Sequence, residues 1–160
     1  VAALPGPAAG AGLALALACD MRVAAETAFL TTGYARVGLP GDYGASWLLT
    51  RVVGPGRARE LMLTGERVTA ERALAIGLVN RVTSADTLME ATLNLVRPLA
   101  NGPRVAYGYI KENLEDALHI DHAAAIDREA ERMLRCQTTF DHKEAAQAFV
   151  EKRAPIFQGR

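Results

Sequence analysis

The sequence predicts an α/β protein whose C-terminal half is entirely helical. Three observations carry that prediction. Short apolar runs alternate with glycine-rich turns and helical patterns through residue 82, as expected of parallel strands joined by crossovers. From residue 84 onward the pattern is helical without interruption by strands. Half of the residues are hydrophobic and alanine is abundant, which suits closely packed helices. The expected division is an α/β part at 1–82 and a helical part at 83–160. A chain of 160 residues can bury a sizeable core.

The opening stretch, VAALPGPAAGAGLALALACD, organises the rest. VAAL reads as a short buried strand. GPAAGAG is expected to end it, because Pro7 lacks an N–H and the glycines favour unusual backbone angles. LALALAC suits a buried helix. The N–H groups of Gly10, Ala11 and Gly12 are then expected to be free at a helix start, where a developing negative charge would find donors. A close-packed buried turn is the alternative reading of the same glycines. The spacing is not G-x-G-x-x-G and no GK[ST] follows, which argues against dinucleotide and P-loop sites. No basic region precedes ALAC, as a signal peptide would need. Pro5, Pro7 and the glycines argue against a membrane span. The chain opens on Val inside an apolar strand, so it is expected to be the C-terminal part of a longer protein.

Lys and Arg number 18 and so do Asp and Glu, which removes any electrostatic case for nucleic acid or an anionic membrane. Cys19 and Cys136 form no motif, and a reduced, cytoplasmic setting is expected.

Further along, MRVAA and AFLTT read as strands split by Glu26 and Thr27. TGYARVGLPGDYG is a loop by its breakers. A helix is expected from near Asp42 to Gly54. Another is expected from Pro55 to Gly65, with Leu61 and Leu63 inward, and a third is capped by Thr69 and closed by Gly77. LVNRV at 78–82 is the last strand. Ser84, Pro103, Asp121 and Asp141 are expected to open four amphipathic helices; the first carries Leu88, Ala91, Leu95 and Leu99 on one face.

Four blocks carry a family likeness: GPAAGAGLALALACDMRVAAE, VGLPGDYGASWLLTRVVG, ARELMLTGERVTAERALAIGLVNRV and EAAQAFVEKRAP. In this order they resemble the crotonase superfamily, the enoyl-CoA hydratases and isomerases. The resemblance implies a spiral of ββα units followed by a C-terminal helical trimerisation region. It also implies that about the first third of the protein lies outside this chain. It implies an acyl-CoA thioester substrate, a homotrimer or dimer of trimers, and no cofactor beyond the coenzyme A on the substrate.

Members of the family hold a thioester enolate with two backbone N–H groups. The resemblance gives one of them to Ala11, between Gly10 and Gly12; one such donor is worth ~3 kcal/mol. Hydratases of the family place two glutamates where this chain has Ala14 and Tyr34. Water addition needs a base for water and an acid for the α-carbon, and neither residue supplies a carboxylate. Asp42, in GLPGDYG, matches an aspartate of dienoyl-CoA isomerases, oxepin-forming ring-epoxide isomerases and chlorobenzoyl-CoA dehalogenases. Local sequence favours it as a helix N-cap, and the resemblance implies a single acid/base group; the two roles are compatible. Tyr34, Tyr43 and Trp47 are expected at the acyl pocket, with core packing as the alternative. Phe149 and Lys152 match positions that hold the acyl tail and the phosphate end of coenzyme A, or else belong to an ordinary amphipathic helix. His119 and His122 are three residues apart but have no third ligand, so no metal site is expected. The expected activity is Asp42-dependent isomerisation. The alternatives are hydration by a non-standard acid/base pair and a catalytically weak acyl-CoA-binding subunit.

Overall fold

The structure is a computed structural model that describes residues 1–160. The chain forms two compact units, Val1–Leu95 and Val96–Arg160.

The first unit contains two three-stranded sheets. In one, β1 (Ala2–Leu4), β3 (Arg22–Ala25) and β6 (Arg81–Thr83) are parallel, with Ala3 opposite Val23 and Ala24 opposite Val82. In the other, β4 (Phe29–Thr31) runs parallel to β2 (Ala8–Ala9) and antiparallel to β5 (Val68–Thr69). The helices of this unit are α1 (Ala11–Leu17), α2 (Ala45–Thr64) and α3 (Ala70–Ala75), followed by the start of α4 (Leu88–Ala100). The central strand β3 is wholly buried, as a strand covered on both faces must be. Leu30, Leu49, Leu61, Leu78, Val79 and Leu88 complete its core.

One charged side chain lies inside that core. Arg22 is buried, and its Nε donates to the Leu78 carbonyl at 2.8 Å while Nη1 donates to the Cys19 carbonyl at 2.7 Å. Its own amide donates to Asn80 Oδ1 at 2.8 Å. A buried cation is tolerated only with such partners, and here they tie the end of α1 to the approach of β6.

Several elements differ from expectation. The turn GPAAGAG is not strand-free: Ala8 and Ala9 form β2, because the chain after Pro7 runs alongside β4. The 68–69 segment pairs as β5 for the same reason. Leu78 and Val79 do not yet belong to a strand; their amides donate back to the Ala73 carbonyl and close α3, so β6 starts at Arg81. Tyr34–Val37 forms a 3₁₀ turn within the expected loop. Helix α2 joins the two expected helices across a break at Gly54 (φ 78°, ψ 163°), where Pro55 starts the second part. Leu61 faces inward, but Leu63 is 77% exposed; two residues along a helix is more than half a turn. Leu15 also points outward from α1.

The helix starts repeat the lesson. Thr69 caps α3 by accepting from the Arg72 amide, as expected. Asp42 does not cap α2: Gly44 holds that position. Ser84 lies in a turn, with its hydroxyl on Thr87, and α4 opens only at Leu88. The expected boundary after residue 82 marks the end of the strands nearly as drawn, while the first compact unit runs on to Leu95, because Leu88 and Leu95 join its core.

The second unit holds the rest of α4 with α5 (Arg104–Asp116), α6 (His122–Gln137) and α7 (Phe140–Glu151). Pro103 and Asp121 precede α5 and α6 as expected, and Asp121 accepts from the Ala124 amide at 2.9 Å. Helix α7 is capped by Thr139 rather than Asp141. Asp141 is buried and turned to the C-terminal segment, where it accepts from the amides of Gln158 (2.6 Å) and Gly159 (2.9 Å). Glu144 adds a second tie: it pairs with Arg153 at 2.6 Å and accepts from the Ile156 amide at 3.0 Å.

Two carboxylates thus strap residues 154–160 to α7. Hydrogen bonds to a charged group contribute about 1.5–3 kcal/mol, so Asp141→Ala should destabilise the second unit by about that much in urea unfolding. Amide exchange at Gln158 and Gly159 should rise most. Arg153, with help from the Ile156 amide, holds Glu144 down at about 2. A carboxyl depressed in the folded state stabilises above its unfolded value, so the Ile156 amide should stay protected at pH 5 and lose protection as pH falls towards 2.

Candidate active site

The site begins at the turn between β2 and α1. Gly10 adopts φ 52° and ψ −122°, a conformation open to glycine and strained for other residues. Its amide is not free as expected: it donates to the Thr31 carbonyl at 3.1 Å and continues the β2–β4 pairing. Its carbonyl accepts from the Ala14 amide at 3.0 Å and starts α1. Ala11 and Gly12 are the first two residues of that helix, where amides have no carbonyl one turn back to bond.

Tyr34 lies directly against this turn. It is 6% exposed and clusters with Ala14 and Ala45, with Met62 packed alongside. A methyl group at Gly10 would meet its ring at 3.8 Å, and one at Gly41 would meet it at 3.9 Å. The ring therefore sits beside both the Gly10 turn and the loop that carries Asp42. Its hydroxyl donates to Asp42 Oδ1 at 2.5 Å. Burial raises the phenol to about 12, the hydrogen bond to the Asp42 carboxylate pushes the same way, and the Asp42 amide partly opposes them. Tyr34 is thus a donor, not a base, throughout the neutral range. The Asp42 side chain is exposed, and Oδ2 accepts no hydrogen bond from the protein.

The Asp42 loop is built from unusual backbone. Gly38, Gly41 and Gly44 all have positive φ, and so does Tyr43 at 49°. Strain of this kind persists only where the surroundings impose it. Tyr43 is 67% exposed, and Trp47 is 46% exposed with the Arg51 guanidinium 3.4 Å above its ring centroid. Of the three expected acyl-pocket residues, only Tyr34 joins the buried cluster. An open groove of about 450 Å³ runs along α2, lined by Ser46, Thr50, Pro55, Ala58, Arg59, Met62 and Leu63. Met62 belongs to both the groove and the Tyr34 cluster. The i, i+4 spacings 46/50, 58/62 and 59/63 could have marked that face in the sequence.

Phe149 and Lys152 belong to the second unit. Phe149 is 85% exposed on α7, and Lys152 ends that helix with φ 55°. His119 pairs with Glu115 at 3.2 Å, and no three His, Cys, Asp or Glu side chains converge as a metal site would require. No helix is long and apolar enough to cross a membrane.

With this geometry in view, the comparisons with known proteins are consistent. The family model described as enoyl-CoA hydratase/isomerase matches residues 1–160. The chain belongs to that family and has the crotonase-type fold. It is 35% identical to the 1,2-epoxyphenylacetyl-CoA isomerase of Escherichia coli (strain K12), over 100% of this chain and 61% of the relative. It is 33% identical to a short-chain-enoyl-CoA hydratase of Clostridium acetobutylicum, over 96% of this chain and 59% of the relative. The crystal structure of an enoyl-CoA hydratase from Polaromonas sp. JS666 superposes with a TM-score of 0.90 at 37% identity, covering 96% of this chain and 60% of that one. The chain thus spans about 60% of the length of these relatives.

Gly41 should be intolerant of a side chain. Its φ is 121°, and an added Cβ would stand 3.1 Å from Met62 Cε. Gly41→Ala is expected to cost about 1–3 kcal/mol in chemical denaturation, through backbone strain.

Proposed function

We propose that the protein is an acyl-CoA-processing enzyme that stabilises a thioester enolate and isomerises enoyl-CoA, with Asp42 as acid and base and the Ala11 N–H as an oxyanion donor. The observation that carries this reading is the cluster around Asp42. Ala14 and Tyr34, at the two positions of the hydratase glutamates by resemblance, pack together and bring no carboxylate. Asp42 is the carboxylate hydrogen-bonded to that cluster.

One carboxylate suffices for isomerisation. Asp42 takes the C2 proton of a 3-enoyl thioester, and the electron pair moves onto the thioester oxygen. The Ala11 N–H meets that charge. As the carbonyl reforms, the double bond shifts to C2–C3 and C4 takes the proton back from Asp42. Protons and electrons balance, and coenzyme A travels with the substrate. Phe149 and Lys152 are assigned to the acyl tail and the phosphate end of coenzyme A. Free cysteines fit a cytoplasmic setting. Hydration by a non-standard acid/base pair is the second reading, favoured by the name of the Clostridium acetobutylicum relative.

The test incubates the native protein with 2-enoyl and 3-enoyl thioesters in heavy water, with mass spectrometry of the products. Double-bond migration with carbon–deuterium exchange is expected, and Asp42→Asn should abolish both. Water addition instead would establish the hydratase, and binding without turnover would favour a catalytically weak acyl-CoA-binding subunit. Ala11→Pro should also stop turnover while the helix survives, since proline is tolerated at a first helical position and carries no N–H; full activity in that variant would sink the oxyanion assignment.

The helical unit is assigned to oligomerisation. Helices α5 and α6 bury no residue, while Ile110, Leu114, Ile126, Met133 and Leu134 are exposed on them. Light scattering of the native protein should report a trimer or a dimer of trimers. A clean monomer would leave those faces without a role.

A further inference from the structure

Asp42 stands on a loop of glycines, and nothing on its own backbone holds the side chain in one orientation. The groups that could do so are few. Oδ1 accepts from the Tyr34 hydroxyl at 2.5 Å, and this is the only hydrogen bond of the carboxylate. The tyrosine is itself packed on several sides. Its ring is buried against Ala14, Ala45 and Met62 and lies within van der Waals reach of the Gly10 and Gly41 backbone positions. The same ring therefore stands beside both the turn that presents the Ala11 N–H and the loop that presents Asp42.

We propose that Tyr34 is a positioning residue for Asp42. Its hydroxyl holds Oδ1, so that Oδ2 is the oxygen that removes and returns the substrate proton, and its ring sets the spacing between that oxygen and the Ala11 N–H. The proposal rests on the reading of Asp42 as acid/base and goes beyond it by dividing the work between the two carboxylate oxygens. The phenol keeps its own proton at neutral pH, raised to about 12 chiefly by burial, so it tethers without titrating. A misplacement of about 1 Å in such a group can cost on the order of 100-fold in rate.

The variant to make is Tyr34→Phe in the native protein. It leaves the ring packed and deletes the one donor. Turnover of a 3-enoyl-CoA in heavy water is followed with kcat and KM determined separately, beside Asp42→Asn and with thermal melting of each variant. The expected result is a fall in kcat of about 10- to 100-fold with KM and the melting temperature little changed. A tyrosine that only packs would keep its ring in this variant and leave kcat, KM and the melting temperature at their wild-type values. Should the phenylalanine variant unfold, Tyr34→Met removes both ring and donor, and a wild-type kcat in it would overturn the positioning role.

The outcomes separate the two claims. If Asp42→Asn is inactive and Tyr34→Phe retains wild-type kcat, positioning by Tyr34 is overturned and the acid/base role of Asp42 stands. If Asp42→Asn retains turnover that Tyr34→Phe removes, the phenol itself moves the proton, and both claims fall. If neither variant loses activity, the Asp42 reading fails and the tether with it.

Discussion

The ring of Tyr34 lies between the Gly10 turn and the Asp42 loop, mostly among small residues. Besides Met62, its neighbours are Gly10, Ala14, Gly41 and Ala45, and these four offer backbone or a single methyl group. At Gly41 an added Cβ would stand 3.1 Å from Met62 Cε, so a side chain there would press against the packing around the ring. Close packing leaves no slack to absorb such a change. The spacing between the Gly10 turn and the Asp42 loop is thus a packing distance, set in part by one aromatic ring.

That arrangement depends in turn on the sheets below it. The β2–β4 pairing is only two residues long, but it ends at the Gly10 amide and so fixes where α1 begins. The buried strand β3 anchors the far end of α1 through Arg22, whose hydrogen bonds gather the chain at Cys19, Leu78 and Asn80. A cation in such a place is costly unless satisfied, and here carbonyls at the end of α1 and at Leu78 satisfy it. The turn is held at its start by strand pairing and at its finish by a guanidinium.

The helical unit follows a different logic. Helices α5 and α6 bury nothing within it, and ion pairs such as Arg128–Asp116 and Arg132–Asp116 join them. The Arg128 end is half exposed and contributes little, while Arg132 and Asp116 are largely shielded. The tighter joints are at the end of the chain, where buried Asp141 takes two amides and Glu144 takes Arg153 and the Ile156 amide. A helix-start signal at Asp141 is chemically reasonable, but Thr139 caps the helix by accepting from the His142 amide, and the Asp141 carboxylate goes to the tail.

Much of this was legible in the sequence. Apolar periodicity and breakers mark the strand–turn–helix opening, β3, β4, and all of the longer helices, because these depend on local spacing and on residues such as Thr69, Pro103 and Asp121 that act on their immediate neighbours. The family is legible in four ordered blocks, and Ala14, Tyr34 and Asp42 could be singled out by position. Other features needed the tertiary structure. The strands β2 and β5 are two residues each and exist only because β4 lies between them. Local sequence favoured Asp42 as a cap, yet Gly44 caps the helix and Asp42 turns to a tyrosine eight residues away. That bond depends on where a folded loop places two side chains, and no periodicity encodes it. The sequence by itself determined which residues could carry the chemistry, since side-chain type is local. Tertiary structure decided which of them meet, since meeting requires long-range pairing and close packing.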